Sequence, residues 1–195
     1  QITSQPMKEE FLFSGHLEPT NEPFAVSKLA GVKLCESYNR QYGTDFISVI
    51  PTNIYGINQN YDPMNSLVVP ALIRKFHEAR HTNAKEVVIW GSGRPSRDFL
   101  FADDLADAVS FLMETYSDND ILNVGTGRDY TIGELAEIVK EVVSYEGKII
   151  YDVSKPDGVL VKLQNITRIS ELGWKHKVEL KEGINRVYDE FKTIK

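Results

Sequence analysis

Asp103 and Asp104 stand side by side, and two neighbouring carboxylates can share a proton and divide acid and base roles. They also precede an apolar-periodic stretch, where aspartate serves as a helix cap, and that is the reading adopted for them. His16, His77, His81 and His176 show no ligand spacing with other histidines, with cysteine or with acids, so no metal site is expected. Cys35 is the single cysteine; it lies among apolar helix positions, reads as buried filler and cannot form an internal disulfide. Taken alone, Lys28 is a surface helix lysine, Phe24, Leu67 and Trp90 are core residues, and Arg97 is a surface cation. Gly91/Gly93 and Gly125/Gly127 are the close glycine pairs. Neither opens a helix at the offset of a G-x-G-x-x-G phosphate turn, so no pyrophosphate cradle of the usual kind is expected in this chain. Gly125 and Gly127 read as a turn after a strand.

The elements that must position these residues alternate in type. Gln1 to Asn21 is an irregular lead-in. Pro23, a good first-turn residue, opens a helix that runs to about Tyr42 and ends at Gly43. Phe46 to Ile50 is a strand leading into a turn-rich exit, Pro51 to Gly56, and Leu67 to Arg80 is an amphipathic helix. Strands follow at Glu86–Trp90, Asp98–Phe101, Ile121–Val124 and Lys148–Asp152, with helices reaching Thr115 and Ser144 and a last one from Leu180 to Phe191. Thr131 with Glu134 three residues on is a capping box. Strands alternating with helices make an α/β fold. The 195 residues suffice for one globular domain, or one domain plus part of another. A net charge of −6 excludes an extended nucleic-acid surface, and no apolar run approaches the ~20 residues of a membrane span. The expected setting is cytoplasmic.

Four segments together carry a family likeness: Leu17 to Phe46 with its Pro-Phe-Ala-Val-Ser-Lys core; Pro51-Thr-Asn-Ile-Tyr-Gly56 followed by Asn65 to Ala79; Val87 to Phe99 with Asp103-Asp-Leu-Ala-Asp-Ala108; and Asn123-Val-Gly-Thr-Gly127 with Ser154-Lys-Pro-Asp-Gly158. In this order and spacing the chain resembles the GDP-L-fucose synthases, sugar-nucleotide enzymes of the extended short-chain dehydrogenase type, over nearly its whole length. The resemblance implies NADP(H)-dependent chemistry on GDP-4-keto-6-deoxy-mannose, in which two carbons beside a ketone are inverted and the ketone is reduced. It also implies the C-terminal part of a Rossmann-like doubly wound parallel sheet with an interleaved small α/β substrate domain. Residues 1–56 and 97–127 would form the partial dinucleotide-binding domain, and 57–96 and 128–195 the GDP-sugar domain.

Carried over position by position, Lys28 is the implied catalytic and cofactor-gripping lysine. Pro51, Thr52, Asn53 and Ile54 would line the nicotinamide, and Lys75, Trp90, Arg97, Asp157 and Lys162 would hold the GDP-sugar. The chain departs from the pattern in three places. Phe24 stands where the family's Tyr-x-x-x-Lys pair has its tyrosine, Leu67 where it has a histidine, and Lys75 where it has an arginine. A phenyl ring and an aliphatic chain transfer no proton, and lysine lacks the bidentate fork of arginine.

Three readings follow from the sequence. The chain is an impaired homologue that retains part of a GDP-sugar site; or it is an interaction module, pairing with itself or with a full-length synthase through the helix Pro23–Tyr42 and an open sheet edge; or, beginning at Gln1 without an initiator methionine, it belongs to a longer protein with a further ~100 residues upstream. GDP or a GDP-sugar is the expected ligand and a homo-oligomer the expected assembly, with no nucleic acid and no membrane as partners.

Overall fold

The computed structural model describes residues 4–17 and 19–194, apart from the side chain of Thr20. Of the lead-in, residues 1–3 and 18 therefore lie outside the described residues. In chain order the elements are α1 (Glu22–Tyr42), β1 (Val49–Pro51), β2 (Asn53–Tyr55), α2 (Val68–His81), β3 (Glu86–Trp90), β4 (Ser96–Phe101), α3 (Ala102–Thr115), β5 (Leu122–Val124), β6 (Asp129–Thr131), α4 (Ile132–Val143), β7 (Lys148–Asp152), β8 (Val161–Lys162), α5 (Thr167–Glu171) and α6 (Leu180–Ile194). The fold is α/β, with parallel pairs β1·β5, β2·β4, β3·β7 and β4·β8 and one antiparallel pair, β4·β6.

The stretch 51–56, expected as a turn-rich exit, instead continues as strand. β1 and β2 are one extended run broken only at Thr52, and the run changes partners there, from β5 to β4. Thr52 N–H still donates to Val124 O at 2.9 Å. β6, β8 and α5 are too short to show a period in the sequence. The lead-in is tied down as well: Met7 exchanges backbone hydrogen bonds with Leu163 and Asn165, at 2.7 Å each.

Two cores result, and β4 feeds both because successive strand side chains point to opposite faces. Phe99 and Phe101 join a large core built with α2, α4 and α6, in which Phe76, Leu135 and Phe191 are fully buried. Leu100 points the other way, into a smaller core with Leu112, Leu122, Ile169 and Trp174. Each such side chain contributes about 1.5–3 kcal/mol on burial.

Three local expectations are corrected. Residue Phe101, not an aspartate, is the N-cap of α3, and no side chain caps it. Asp104 is buried and turns to another part of the chain, accepting from Lys177 N–H at 3.0 Å and Val178 N–H at 2.9 Å. Phe24, Leu67 and Trp90 are not core residues: they are 59%, 66% and 69% exposed. Cys35 is only half-buried, because α1 buries none of its residues. The capping box of α4 is present as read, with Glu134 N–H donating to Thr131 Oγ1 and Thr131 N–H to Glu134 Oε2.

Candidate functional site

A hollow of about 340 Å³ is lined by Asn53, Leu67, Trp90, Arg97 and Asp157, together with Pro95, Ile132 and Gly158 among others. A smaller hollow of about 110 Å³ adjoins it, sharing Asn53, Leu67 and Val68 and adding Ile54. Residues expected at the site from three distant stretches of sequence are thus neighbours in space. Two larger surface hollows, of about 650 and 770 Å³, gather none of the expected site residues.

The floor is set where the β1–β2 run changes sheet. Asp98 is fully buried. Its carboxylate accepts from Thr126 Oγ1 at 2.5 Å, Thr126 N–H at 3.0 Å and Gly127 N–H at 3.2 Å. Its backbone oxygen accepts from Thr52 Oγ1 at 3.0 Å and Asn53 Nδ2 at 2.8 Å. Burial pushes the Asp98 carboxyl above the usual carboxylate range, while the bonds from Thr126 and Gly127 pull it back. A Cβ at Gly125 would sit 2.5 Å from Asp98 Oδ2, so the turn after β5 needs glycine to approach this carboxylate. Asp98 lay within the motif that carried the resemblance, but its role there is visible only from the fold.

One wall comes from β4. Arg97 is half-buried, with Nη1 donating to Ser96 O at 2.6 Å and Val159 O at 2.7 Å. Burial lowers its pKa from the ordinary arginine value. Lys162 lies opposite Arg97 in the β4·β8 register and is exposed. The other wall is the end of β3, where the indole of Trp90 is overhung by the ammonium groups of Lys75 and Lys155, each 5.6 Å from the ring centroid. Lys75 Nζ also donates to Val88 O at 3.1 Å. Beyond Trp90 the chain turns at Gly91 and Gly93, both at positive φ. Asp157 closes over this turn, accepting from Ser92 N–H at 2.8 Å and Ser92 Oγ at 2.6 Å. These bonds hold its carboxyl below the usual aspartate value. A Cβ at Gly91 would meet Asp157 Oδ1 at 2.5 Å. Among the described residues, no carboxylate lies within ion-pairing distance of Lys75, Arg97, Lys155 or Lys162. Arg97 lines the hollow itself, while Lys75 and Lys155 stand over the Trp90 ring that forms its wall.

Lys28 is on α1, exposed, with its ammonium 5.3 Å from the Phe24 ring centroid, and neither residue lines the hollow. Pro51 O accepts from Gln164 Nε2 at 3.4 Å, and Ile54 packs toward the smaller core. The 51–54 segment therefore sits, firmly bonded, at the carboxyl end of β1, where open α/β sheets place their ligands. The sequence has no glycine turn of the G-x-G-x-x-G kind for a pyrophosphate. Among the described residues, no group of three or more His, Cys, Asp or Glu could hold a metal ion, and no helix is long and apolar enough to cross a membrane.

The chain is 57% identical over 188 residues to a probable GDP-L-fucose synthase 1 of Oryza sativa subsp. japonica, covering 96% of this chain and 57% of the relative. It is 50% identical to the GDP-L-fucose synthase of Escherichia coli (strain K12), covering 98% of this chain and 62% of the relative. It thus spans roughly three-fifths of the length of these relatives. Among solved structures, a GDP-6-OMe-4-keto-L-xylo-heptose reductase from C. jejuni matches with a TM-score of 0.90 at 38% identity, covering 100% of this chain and 67% of that one. A GDP-L-fucose synthetase from Naegleria fowleri, bound to NADP, matches with a TM-score of 0.91 at 26% identity, covering 98% and 62%. The profile of the NAD dependent epimerase/dehydratase family matches residues 2–125. With the family profile matching residues 2–125 and relatives at 50–57% identity along nearly the whole chain, the chain belongs to the NAD dependent epimerase/dehydratase family.

Proposed function

We propose that this chain supplies the nucleotide-sugar side of a GDP-sugar epimerase/reductase, binding GDP or a GDP-sugar in the hollow between Trp90, Arg97 and Asp157, and that its proton-transfer chemistry is impaired. The observation that carries the reading is the convergence of Asn53, Leu67, Trp90, Arg97 and Asp157 on one hollow, with the ammonium groups of Lys75 and Lys155 over its Trp90 wall. Arg97, with Nη1 anchored to two carbonyls, presents the rest of its guanidinium toward a diphosphate. The chain would divide into a cofactor side over residues 1–56 and 97–127 and a sugar side over 57–96 and 128–195, the two joined in both cores: Ile169 and Trp174 enter the smaller one, and Tyr55, Phe99 and Phe101 the larger.

NADPH, when bound, supplies the hydride that reduces the keto group. What this chain adds on that side is the Pro51–Ile54 segment at the ring end and the positive charge of Lys28. Phe24 has no proton to give to the alkoxide, and Leu67, exposed at the lip of the hollow, has none to exchange at the neighbouring carbons. Loss of a positioned acid or base costs about 10²–10⁴ in rate. The test has two arms. Calorimetry should find GDP binding to this chain and no NADPH binding, and single-turnover mixing with GDP-4-keto-6-deoxy-mannose should give no rapid NADPH oxidation. Rapid oxidation by this chain would overturn the impairment, and absence of GDP binding would overturn the site.

A second reading, self-association, is favoured by α1. It buries no residue, while Phe24, Val26, Leu34, Tyr38 and Tyr42 are between 44% and 63% exposed, a patch that invites a partner. Sedimentation at micromolar concentration should find a species larger than a monomer; a monomer with no recovered partner would remove this reading.

A further inference from the structure

Lys155 reaches the Trp90 ring because the loop after β7 is built to bring it there. β3 and β7 run parallel with Trp90 opposite Asp152. The chain then turns sharply: Asp152 Oδ1 accepts from Ser154 N–H at 3.1 Å and Ser154 Oγ at 2.6 Å, and Lys155 N–H donates to Asp152 O at 3.2 Å. Two residues on, Asp157 is bonded to Ser92 across the gap. The loop is therefore pinned on both sides of Lys155, and the exposed lysine places its ammonium 5.6 Å from the indole centroid.

The electrostatics there are unbalanced. Lys75 and Lys155 both overhang one exposed indole, and the indole's attraction for an ammonium, about 0.5–1 kcal/mol at an exposed position, must offset their mutual repulsion. Asp152, the carboxylate whose ionisation Lys155 favours, is committed to Ser154. Pro156 and Asp157, next in the chain, line the hollow itself.

We propose that Lys155 is a ligand-binding residue of the hollow, acting with Lys75 across the Trp90 ring to hold the diphosphate of a nucleotide sugar. This rests on the GDP-sugar reading above and adds a residue to it. Lysine suits a position that tracks a flexible diphosphate, whereas the fixed fork of Arg97 sets its register.

GDP and guanosine titrated by calorimetry into the unaltered chain, Lys155→Gln and Lys155→Arg, at low and at raised salt, test the proposal. Lys155→Gln should weaken GDP about tenfold and flatten the salt dependence. It should leave guanosine affinity and the melting temperature in place, and Lys155→Arg should recover most of the loss. Wild-type GDP affinity in Lys155→Gln would overturn the assignment while leaving the GDP site standing. An equal loss for GDP and guanosine would also overturn it, by showing that the lysine only props up the Trp90 loop. Failure of the unaltered chain to bind GDP would remove the GDP-sugar reading, and this inference with it.

Discussion

The hollow at Trp90–Arg97–Asp157 and the helix carrying Phe24 and Lys28 are both parts of the expected site, yet they are held in opposite ways. Around the hollow three side chains also bond within the fold: Arg97 binds Val159 O, Asp157 binds Ser92, and Asn53 binds Asp98 O. Helix α1 buries nothing, and its Phe24–Lys28 pair touches only itself among the ring–cation contacts. These parts of the hollow are thus fixed by this chain's own hydrogen bonds. Phe24 and Lys28 are exposed groups on a helix that buries none of its residues. Substitutions of these bonded side chains should therefore change stability and binding together, and substitutions of exposed α1 residues should change stability little.

The largest effect should come from Asp98. Asp98→Ala removes the fully buried acceptor of Thr126 and Gly127 and releases the turn that approaches it, at a cost of about 3 kcal/mol in urea unfolding; a loss below 1 kcal/mol would break the contrast. Asp98 and Asp157 should also respond to pH in opposite directions. The folded pKa of Asp98 is raised, so the stability it contributes is greatest below the unfolded value and is lost as pH rises through the folded one. Asp98→Asn should abolish that component. The folded pKa of Asp157 is depressed, so its tie to Ser92 is fully present above the ordinary aspartate value and is lost as pH falls through the folded one. GDP affinity should therefore fall on acidification, and Asp157→Asn should flatten that fall in a pH series of GDP titrations.

Next in size is Arg97→Ala, which should weaken GDP by roughly 10- to 100-fold, with Arg97→Lys between it and the unaltered chain because charge survives and the fork does not. Equal affinities of Arg97→Lys and the unaltered chain would show that only charge matters there. Thr131→Ala removes the side-chain half of the α4 capping box and should cost about 1 kcal/mol in the same urea measurement, with GDP binding retained.

What the sequence disclosed follows how far apart the interacting residues lie. The α4 cap was legible because Thr131 and Glu134 are three residues apart and the pattern is local. Asp104 was misread for the same reason: it stands in a cap-like place, but its partners are Lys177 and Val178, brought in by the fold. Phe24, Leu67 and Trp90 read as core because apolarity reports what a side chain would gain by burial and not whether a surface is there to bury it. Trp90, Arg97 and Asp157 could be grouped only through the family resemblance, since no periodicity links them. The α/β alternation was legible from apolar runs of four or five residues and from long amphipathic helices, whereas β6 and β8, at three and two residues, and α5, a helix of only five, fell below any period.

The smallest expected effect on folding belongs to α1, and it sharpens the comparison most. Val26 and Leu34 are 50% and 58% exposed, so replacing both with glutamine removes little buried apolar area and keeps helix propensity near that of leucine. Urea unfolding at nanomolar concentration, where subunits are apart, should shift by no more than about 0.5 kcal/mol. If this face joins copies of the chain, the same double variant should be monomeric at concentrations where the unaltered chain is not, because association rests on the apolar area that the glutamines interrupt. A large loss of stability in the dilute variant would mean that α1 is held by the fold after all. Unchanged association would move the contact to another surface.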